Sequence, residues 1–316
     1  MTPSQLIAVT GGSGFVGSHV VDAFLAAGHR VRVIDQHAPR QADVEWVKAD
    51  ILDEDDLVDA FAGAGPVFHL AAMADVNDVV ASPDGAVAAN VLGTSRVLKA
   101  AQRAETSRVV LSSTVWVYSG TKESVVDETT PVDLMGERHL YASTKIAAEM
   151  LCRDHYTLYG RPYTILRYGI PFGPWMRGRL VIAAFIERAL AGEALRLDGD
   201  GSQSRTFIYV EDLAQAHVKA LAPVAEQRTY NLEARESVTM RQLAELVRDL
   251  VGDVEITYGP ARAGDYRAVK VLAERARDEL GWQPTVSFQE GLRRTLEWYR
   301  AQARRAVSEP ELGTGG

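Results

Sequence analysis

The sequence is short of cysteine, of positive charge and of long apolar runs. Cys152 is the only cysteine in 316 residues, which excludes an intrachain disulfide. It falls in a helical stretch and reads as a packed thiol. No apolar run approaches the roughly 18 residues that would suggest a membrane span, and the chain does not open on a charged segment followed by an apolar one. No membrane partner is expected, and a cytoplasmic location is. Lys and Arg number 34 against 42 Asp and Glu, a net charge of -8. That balance argues against a nucleic-acid partner, because proteins that grip phosphate backbones usually carry a basic face. Arg293, Arg294, Arg300, Arg304 and Arg305 near the end read as solvated helix faces. No metal site is expected.

What is present is an ordinary globular composition, 47% hydrophobic and 24% charged, in a chain long enough to bury a large core. In the first half, short β-rich apolar runs alternate with helical periodicity. Strands are expected at Leu6–Thr10 and at 31–35, 44–48, 67–70, 108–112 and 163–167, and helices at 15–27, 53–61, 85–103 and Leu140–Tyr159. Such alternation predicts an α/β fold, a Rossmann-type doubly wound parallel sheet with right-handed crossovers. Beyond about residue 173 the rhythm becomes mixed. Helices are expected at 181–191, 211–221, Met240–Val251 and 288–304, with a strand at 206–210 and a turn at 199–202. The expected organisation is a first domain over 1–173, to which some later segments return. A smaller mixed α/β C-terminal lobe over 174–306 and a disordered tail over 307–316 follow it.

The first strand runs directly into Thr10-Gly11-Gly12-Ser13-Gly14-Phe15-Val16-Gly17. Gly11 permits a tight turn after the strand, Gly14 lets a pyrophosphate approach the backbone, and Gly17 lets the following helix pack close. The helix points its N-terminal amides and the positive end of its dipole at the phosphates. A glycine trio alone is a weak signal. Here it follows a strand, opens a helix and is answered by Asp35 at the end of the next strand. A carboxylate at that place accepts hydrogen bonds from a ribose diol and repels a 2′-phosphate, which favours NAD over NADP. Arg32 and Arg40 lie near enough in sequence to oppose that preference. Asp50 and Ile51 close the following strand, within reach of an adenine amine. His69-Leu70-Ala71-Ala72 closes the fourth, where small residues let the backbone pass the nicotinamide side. The expected cofactor set is Gly11, Gly14, Phe15, Val16, Asp35, Asp50, Ile51, Leu70, Ala71 and Ala72, joined by Tyr141, Lys145 and Tyr168. It gives the first domain its role, NAD binding.

Tyr141 and Lys145 are one helical turn apart, in Tyr-Ala-Ser-Thr-Lys. A phenol titrates near pH 10 and is a poor base at pH 7. An ammonium on the same helical face lowers that value and can hold ribose hydroxyls. The pair then serves as acid and base at a carbinol carbon beside a nicotinamide. The fifth strand ends in Ser112-Ser113-Thr114, three hydroxyls able to orient a substrate oxygen.

With these motifs in place, the chain resembles the extended short-chain dehydrogenase/reductase family, in particular its nucleotide-sugar epimerases and dehydratases, over roughly residues 5–303. The marks are the glycine loop, His69-Leu70-Ala71-Ala72, Asn90-Val91-Leu92-Gly93-Thr94, Ser112-Ser113-Thr114 with Tyr118, and Tyr141-Ala142-Ser143-Thr144-Lys145. Further marks are Gly199-Asp200-Gly201-Ser202-Gln203, Arg205-Thr206-Phe207-Ile208-Tyr209-Val210-Glu211-Asp212 and Leu280-Gly281-Trp282-Gln283-Pro284. The resemblance implies a nucleotide-diphosphate sugar as substrate. It assigns Thr114 as the catalytic hydroxyl beside Tyr141 and Lys145, and places Arg205 and Arg262 on the diphosphate. Two arginines suit a doubly charged diphosphate, since each grips phosphate oxygens bidentately. The substrate set is therefore Thr114, Tyr141, Ile170, Arg205 and Arg262, and the lobe over 174–306 is mainly substrate-binding. Pairing of relatives through two helices, here 85–103 and Leu140–Tyr159, implies a homodimer by analogy.

The same resemblance bears on the reaction. The dehydratases, and the decarboxylases like them, place an acidic residue just after the catalytic hydroxyl. This chain has Thr114-Val115-Trp116, and neither Val115 nor Trp116 can transfer the protons of an elimination. The expectation is epimerisation at C4 of the sugar through a transient 4-keto intermediate, with Tyr141 as acid and base. The runner-up is a 4-ketoreductase, which Asp35 disfavours because such reductases commonly use NADPH. A cofactor-sensing module without turnover is opposed by the presence of Thr114, Tyr141 and Lys145 together. Two departures stand out. Ile170 replaces the asparagine usual before the next Gly-Pro. Val269 stands where some 4-epimerases carry a bulky tyrosine, which implies room for an N-acetylated or other modified sugar.

Overall fold

Strand β1, Leu6–Thr10, is a run of five residues with only its first partly exposed, as a parallel strand covered on both faces requires. The computed structural model describes residues 4–136, 138–176, 180–260 and 269–308. From β1 the chain passes through helix α1 (Phe15–Ala26), strands β2 (Arg30–Ile34) and β3 (Glu45–Val47), and helix α2 (Glu54–Phe61). Strand β4 (Pro66–His69) leads to α3 (Val76–Ala81), α4 (Pro83–Val87), a π-helical turn (Ala88–Gly93) and α5 (Thr94–Arg103). Strand β5 (Arg108–Thr114) runs into a 3₁₀ turn (Val115–Tyr118), then β6 (Val125–Val126), α6 (Leu140–Tyr159), β7 (Tyr163–Tyr168) and β8 (Ile170–Phe172). The remainder is α7 (Val181–Leu190), β9 (Leu195–Asp198), β10 (Ser204–Tyr209), α8 (Val210–Lys219), β11 (Arg228–Leu232), β12 (Ser237–Thr239), α9 (Met240–Val251), β13 (Ile256–Gly259), β14 (Lys270–Val271), α10 (Glu274–Leu280) and α11 (Phe288–Ser308).

Two compact units result, and the chain passes between them more than once. The first takes Met1–Gly169, Glu211–Glu233 and Arg267–Gln283, the second Ile170–Val210, Ala234–Tyr266 and Pro284–Gly316. The first unit is built on a seven-stranded parallel sheet of order β11-β7-β5-β4-β1-β2-β3. From β1 the chain first adds strands on one side and then, at β4, on the other. The strand order therefore reverses between β1 and β4, and their carboxyl ends open the crevice where doubly wound folds bind ligands. On one side of the sheet Phe61, Leu57, Val97, Val67, Leu111 and Ile165 share one buried cluster with Cys152, the packed thiol the sequence led one to expect. In the second unit β12, β10 and β8 form one small sheet and β13 pairs with β9 in another, beside α7, α9 and α11.

Helix boundaries follow local chemistry. Asp53 caps α2, accepting from the Asp55 and Asp56 amides. Gly160, at φ +68°, ends α6 in the left-handed conformation. The helix read over 85–103 is present as one continuous helical run from Pro83 to Arg103, but with a π-helical turn, Ala88–Gly93, inside it. The buried Asn90 amide lies in that turn and bonds both backbone groups of Met73, accepting from its N–H at 2.8 Å and donating to its carbonyl at 3.0 Å. Helical periodicity carries no mark of such a wide turn, which belongs to side-chain bonding across the fold. Among the described residues no helix is long and apolar enough to cross a membrane, and no group of three or more His, Cys, Asp or Glu could hold a metal ion.

Candidate active site

The glycine loop leaves β1 at the reversal point. Gly11 sits at φ +71° and donates its amide to the Ile34 carbonyl at 3.0 Å, and Gly14 donates back to the Gly11 carbonyl at 3.1 Å. A Cβ on Gly11 would lie 2.5 Å from the Ala71 amide nitrogen, and one on Gly17 would lie 2.0 Å from the Gly11 carbonyl oxygen. Backbone contact therefore requires both glycines, and at Gly11 the positive φ requires it as well. Gly14 caps α1 without a side-chain hydrogen bond, and no acidic residue occupies the first turn. The helix thus presents bare backbone N–H groups of the kind that take phosphate. These features fit a dinucleotide. Phe15 and Val16 are half-buried in the first turn.

Asp35 lies just beyond β2, and its carboxylate binds the loop itself, accepting from the Ser13 amide and from the His37 amide, each at 3.0 Å. It is thereby fixed at the rim of the glycine turn, where the sequence argument requires a ribose acceptor. Arg32, which in sequence threatened the NAD preference, is tied to Glu45 at 2.9 Å and to the Ala60 and Ala62 carbonyls. Arg40 is paired with Asp22. Asp35→Ala is expected to weaken NAD binding about 10- to 10²-fold, the scale of lost hydrogen bonds to a charged group, and to narrow the preference over NADP. Calorimetric titration of both nucleotides checks this, and an unchanged ratio of affinities defeats the ribose assignment. Asp50 accepts from the Gln36 amide group at 3.0 Å and the Leu52 amide at 2.9 Å. The Gly93 Cα faces Ile51 so closely that a Cβ there would meet Ile51 Cδ1 at 2.6 Å. Leu70 and Ala71 stand beside Thr10, with Leu70 N–H on its carbonyl at 3.0 Å and Ala71 N–H on Oγ1 at 3.4 Å. Ala72 follows in the same partly buried segment.

Tyr141 sits in the first turn of α6 and Lys145 one turn on, with Lys145 buried at 3% exposure. Thr114 ends β5, 4% exposed, and its Oγ1 accepts the Trp116 amide at 3.2 Å. Burial pushes the Tyr141 phenol up to about 12 and the Lys145 ammonium down to about 8. The expected depression of the phenol by its lysine is therefore reversed in this structure. Removing both groups from water favours their neutral forms, and no charge on the protein outweighs that for Tyr141.

Three buried networks that the sequence did not reveal hold this centre. In the first, Thr94 Oγ1 donates to the Asn90 carbonyl at 2.7 Å and so must accept from His69 Nε2 at 3.1 Å. That fixes the His69 tautomer, and its Nδ1 accepts from Thr10 Oγ1 at 2.8 Å. Burial and the Lys145 charge push His69 down to about 3, so the ring stays neutral. Asn90 Nδ2 continues the chain to Thr144 Oγ1 at 3.0 Å, which donates to the Tyr141 carbonyl at 2.8 Å. The second network surrounds Tyr168, whose hydroxyl lies 2.6 Å from Ser112 Oγ and 2.5 Å from His217 Nε2. His217 Nδ1 is 2.9 Å from the Leu213 carbonyl and must donate there. Tyr168 therefore donates its O–H to His217 and keeps the proton, and the Tyr168 phenol, raised by burial, is not an acid available to a ligand. The third is a buried clamp. Glu149, one turn beyond Lys145, takes Arg167 in two parallel bonds of 2.8 and 2.7 Å and Ser113 Oγ at 2.6 Å. Burial works to raise this carboxyl, and Arg167, with Arg153 and Ser113, outweighs it and holds it low. The i+4 spacing of Arg153 from Glu149 is the trace of this clamp in the sequence.

The first unit thus brings together Thr114, Tyr141, Lys145 and Tyr168 with the loop and strand-end residues. Ile170, in β8, and Arg205, in β10, belong to the second unit. Arg205 Nη1 donates to the Ser204 carbonyl at 2.9 Å. Arg262 lies outside the described residues. Val269 packs against Val117, Tyr118, Val126 and Ile146.

The model of the NAD dependent epimerase/dehydratase family matches residues 7–232. The chain belongs to that family, and NAD, expected from Asp35, is the family's own cofactor. The UDP-glucose 4-epimerase of Mycolicibacterium smegmatis is 34% identical over 92% of this chain and 97% of its own. UDP-glucuronic acid decarboxylase 1 of Xenopus tropicalis is 32% identical over 94% of this chain and 72% of its own. Among solved structures, the UDP-glucose 4-epimerase of Thermotoga maritima, with UDP-glucose, superposes with a TM-score of 0.87 at 31% identity, covering 94% of this chain and 99% of that one.

Proposed function

We propose that this chain is an NAD-dependent 4-epimerase of a nucleotide-diphosphate sugar. The observation that carries the reading is the segment after Thr114. Val115 and Trp116 offer no group that transfers a proton, and the Trp116 ring packs edge-on against His139 at 5.3 Å. The nearby carboxylate of Glu149 is committed to Arg167, Arg153 and Ser113. An elimination or a decarboxylation needs more acid-base capacity than this, whereas inversion at C4 needs one phenol. NAD, when bound on the glycine loop and Asp35, supplies an acceptor and donor of hydride at the sugar carbon. Tyr141 would exchange a proton with the sugar O4, and Thr114 would direct its hydroxyl at the same oxygen. Lys145 would hold the ribose hydroxyls. Arg205 and Arg262 would hold the diphosphate.

The test loads the protein with NAD and follows UDP-glucose, UDP-galactose and their N-acetylated forms by NMR, with UDP-glucuronate as a parallel substrate. Interconversion of C4 epimers, with no carbon dioxide released from the glucuronate, supports the reading. Decarboxylation or a 4-keto-6-deoxy product overturns it. The same reading includes a homodimer through the 85–103 segment and α6, whose Leu92, Met150 and Tyr156 are exposed.

A further inference from the structure

Helix α6 is capped by a ring. His139 holds the N-cap position at φ -87° and ψ 157°, and its Nδ1 accepts the Ala142 amide at 3.2 Å. The same imidazole lies nearly parallel to the Tyr141 ring, with centroids 5.9 Å apart and planes 17° from each other. Trp116 meets the same ring at 5.3 Å and 61°. Trp116 is itself the residue whose amide Thr114 Oγ1 accepts. The hydroxyl and the phenol proposed to share a sugar oxygen therefore each belong to a capped turn, and the rings of those two turns meet at His139.

We propose that His139 is a positioning residue of the active site, which sets the plane of the Tyr141 ring and couples it through Trp116 to the Thr114 turn. This rests on the epimerase reading. Its physical content is that an ordinary cap would hold the helix, while only a ring can hold the phenol. A Ser, Asp or Asn side chain satisfies an N-terminal amide as well as an imidazole does, and none of them stacks. An aromatic pair near this separation is held in a defined orientation, and a phenol displaced by even ~1 Å loses much of its catalytic effect.

The experiment separates the two roles of the side chain. His139→Asn keeps a cap acceptor and removes the ring, and His139→Phe keeps a ring and removes the cap. Each variant is purified with NAD. Its melting temperature is recorded first, and then the rate at which the bound nicotinamide is reduced on adding the sugar that the wild type accepts. His139→Asn should melt within ~2 °C of wild type, yet reduce its cofactor about tenfold more slowly at saturating sugar, with KM nearly unchanged. His139→Phe should melt roughly 2–4 °C lower and keep more of the rate than His139→Asn. A His139→Asn rate within twofold of wild type, or a lower rate matched by an equal loss in His139→Phe, overturns the proposal and leaves His139 a simple cap. If wild-type protein reduces its nicotinamide with no sugar of the panel, the epimerase reading itself fails, and the positioning role with it.

Discussion

Tyr141→Phe should lose about 10²-fold or more in turnover, the contribution typical of a positioned acid-base group. It should do so without losing NAD. The substitution removes a single oxygen, so the ring that stacks on His139 remains. Tyr141 is the residue proposed to reach the sugar oxygen, whereas α6 is held elsewhere, by the His139 cap, by the Asn90–Thr144 bond and by the Glu149 clamp. Stability should therefore hardly change. Burial raises the phenol to about 12, so at neutral pH the resting group carries its proton, and any step that takes a proton from the sugar must be helped by a cation brought against it. Lys145, lowered to about 8 by burial yet still mostly charged at pH 7, is the cation proposed for that part. The check is the rate of C4 inversion at saturating sugar together with the amount of nicotinamide that stays bound. A variant that turns over near the wild-type rate removes Tyr141 from the chemistry.

Gly17→Ala should weaken the nucleotide site by another route. The new Cβ would lie 2.0 Å from the Gly11 carbonyl oxygen and 2.9 Å from the Gly12 Cα. Both are backbone atoms of the turn, and neither can rotate away. Overpacking of this kind costs about 1–3 kcal/mol and moves backbone, and here the backbone that moves is the one that must meet the phosphates. NAD affinity should fall roughly 10- to 10²-fold, since ~1.4 kcal/mol is a factor of ten. Gly14→Ala, whose Cβ would meet the same oxygen at 3.2 Å, should be milder. Calorimetric titration of NAD into the two variants gives the ordering, and an equal affinity in Gly17→Ala and wild type contradicts the close-packing account of the loop.

Much of the first unit was legible because parallel strands buried on both faces announce themselves as apolar runs, and the glycine turn because its spacing is a backbone requirement. Helix α6 matches its expected bounds, Leu140–Tyr159, and α9 matches Met240–Val251. Strand β11 escaped notice. Arg228-Thr229-Tyr230-Asn231-Leu232 is not an apolar run and arrives some 60 residues after its neighbour β7, so nothing local ties it to the main sheet. The π-helical turn escaped for a related reason, since it depends on what Asn90 touches across the fold. In the site, identities were readable and protonation was not. Tyr141 and Lys145 were evident from their spacing, but the burial that sets both their pKa values exists only once β5, α5 and α6 have come together. Likewise the tautomer of His69 follows from its contact with Thr94, 25 residues on, and the hydrogen bond that His217 Nε2 accepts comes from Tyr168, 49 residues away.

The place of β11 has a bearing on how the molecule is made. The far edge of the sheet that carries the glycine loop is supplied by residues 228–232, after the chain has run through β8, α7, β9 and β10 of the other unit. While a ribosome is still synthesising that excursion, β7 stands as the last strand, its hydrogen-bonding edge open to any passing strand. The unit that carries the glycine loop is thus sealed late, and a nascent chain must keep that edge out of trouble until residues 228–232 have emerged.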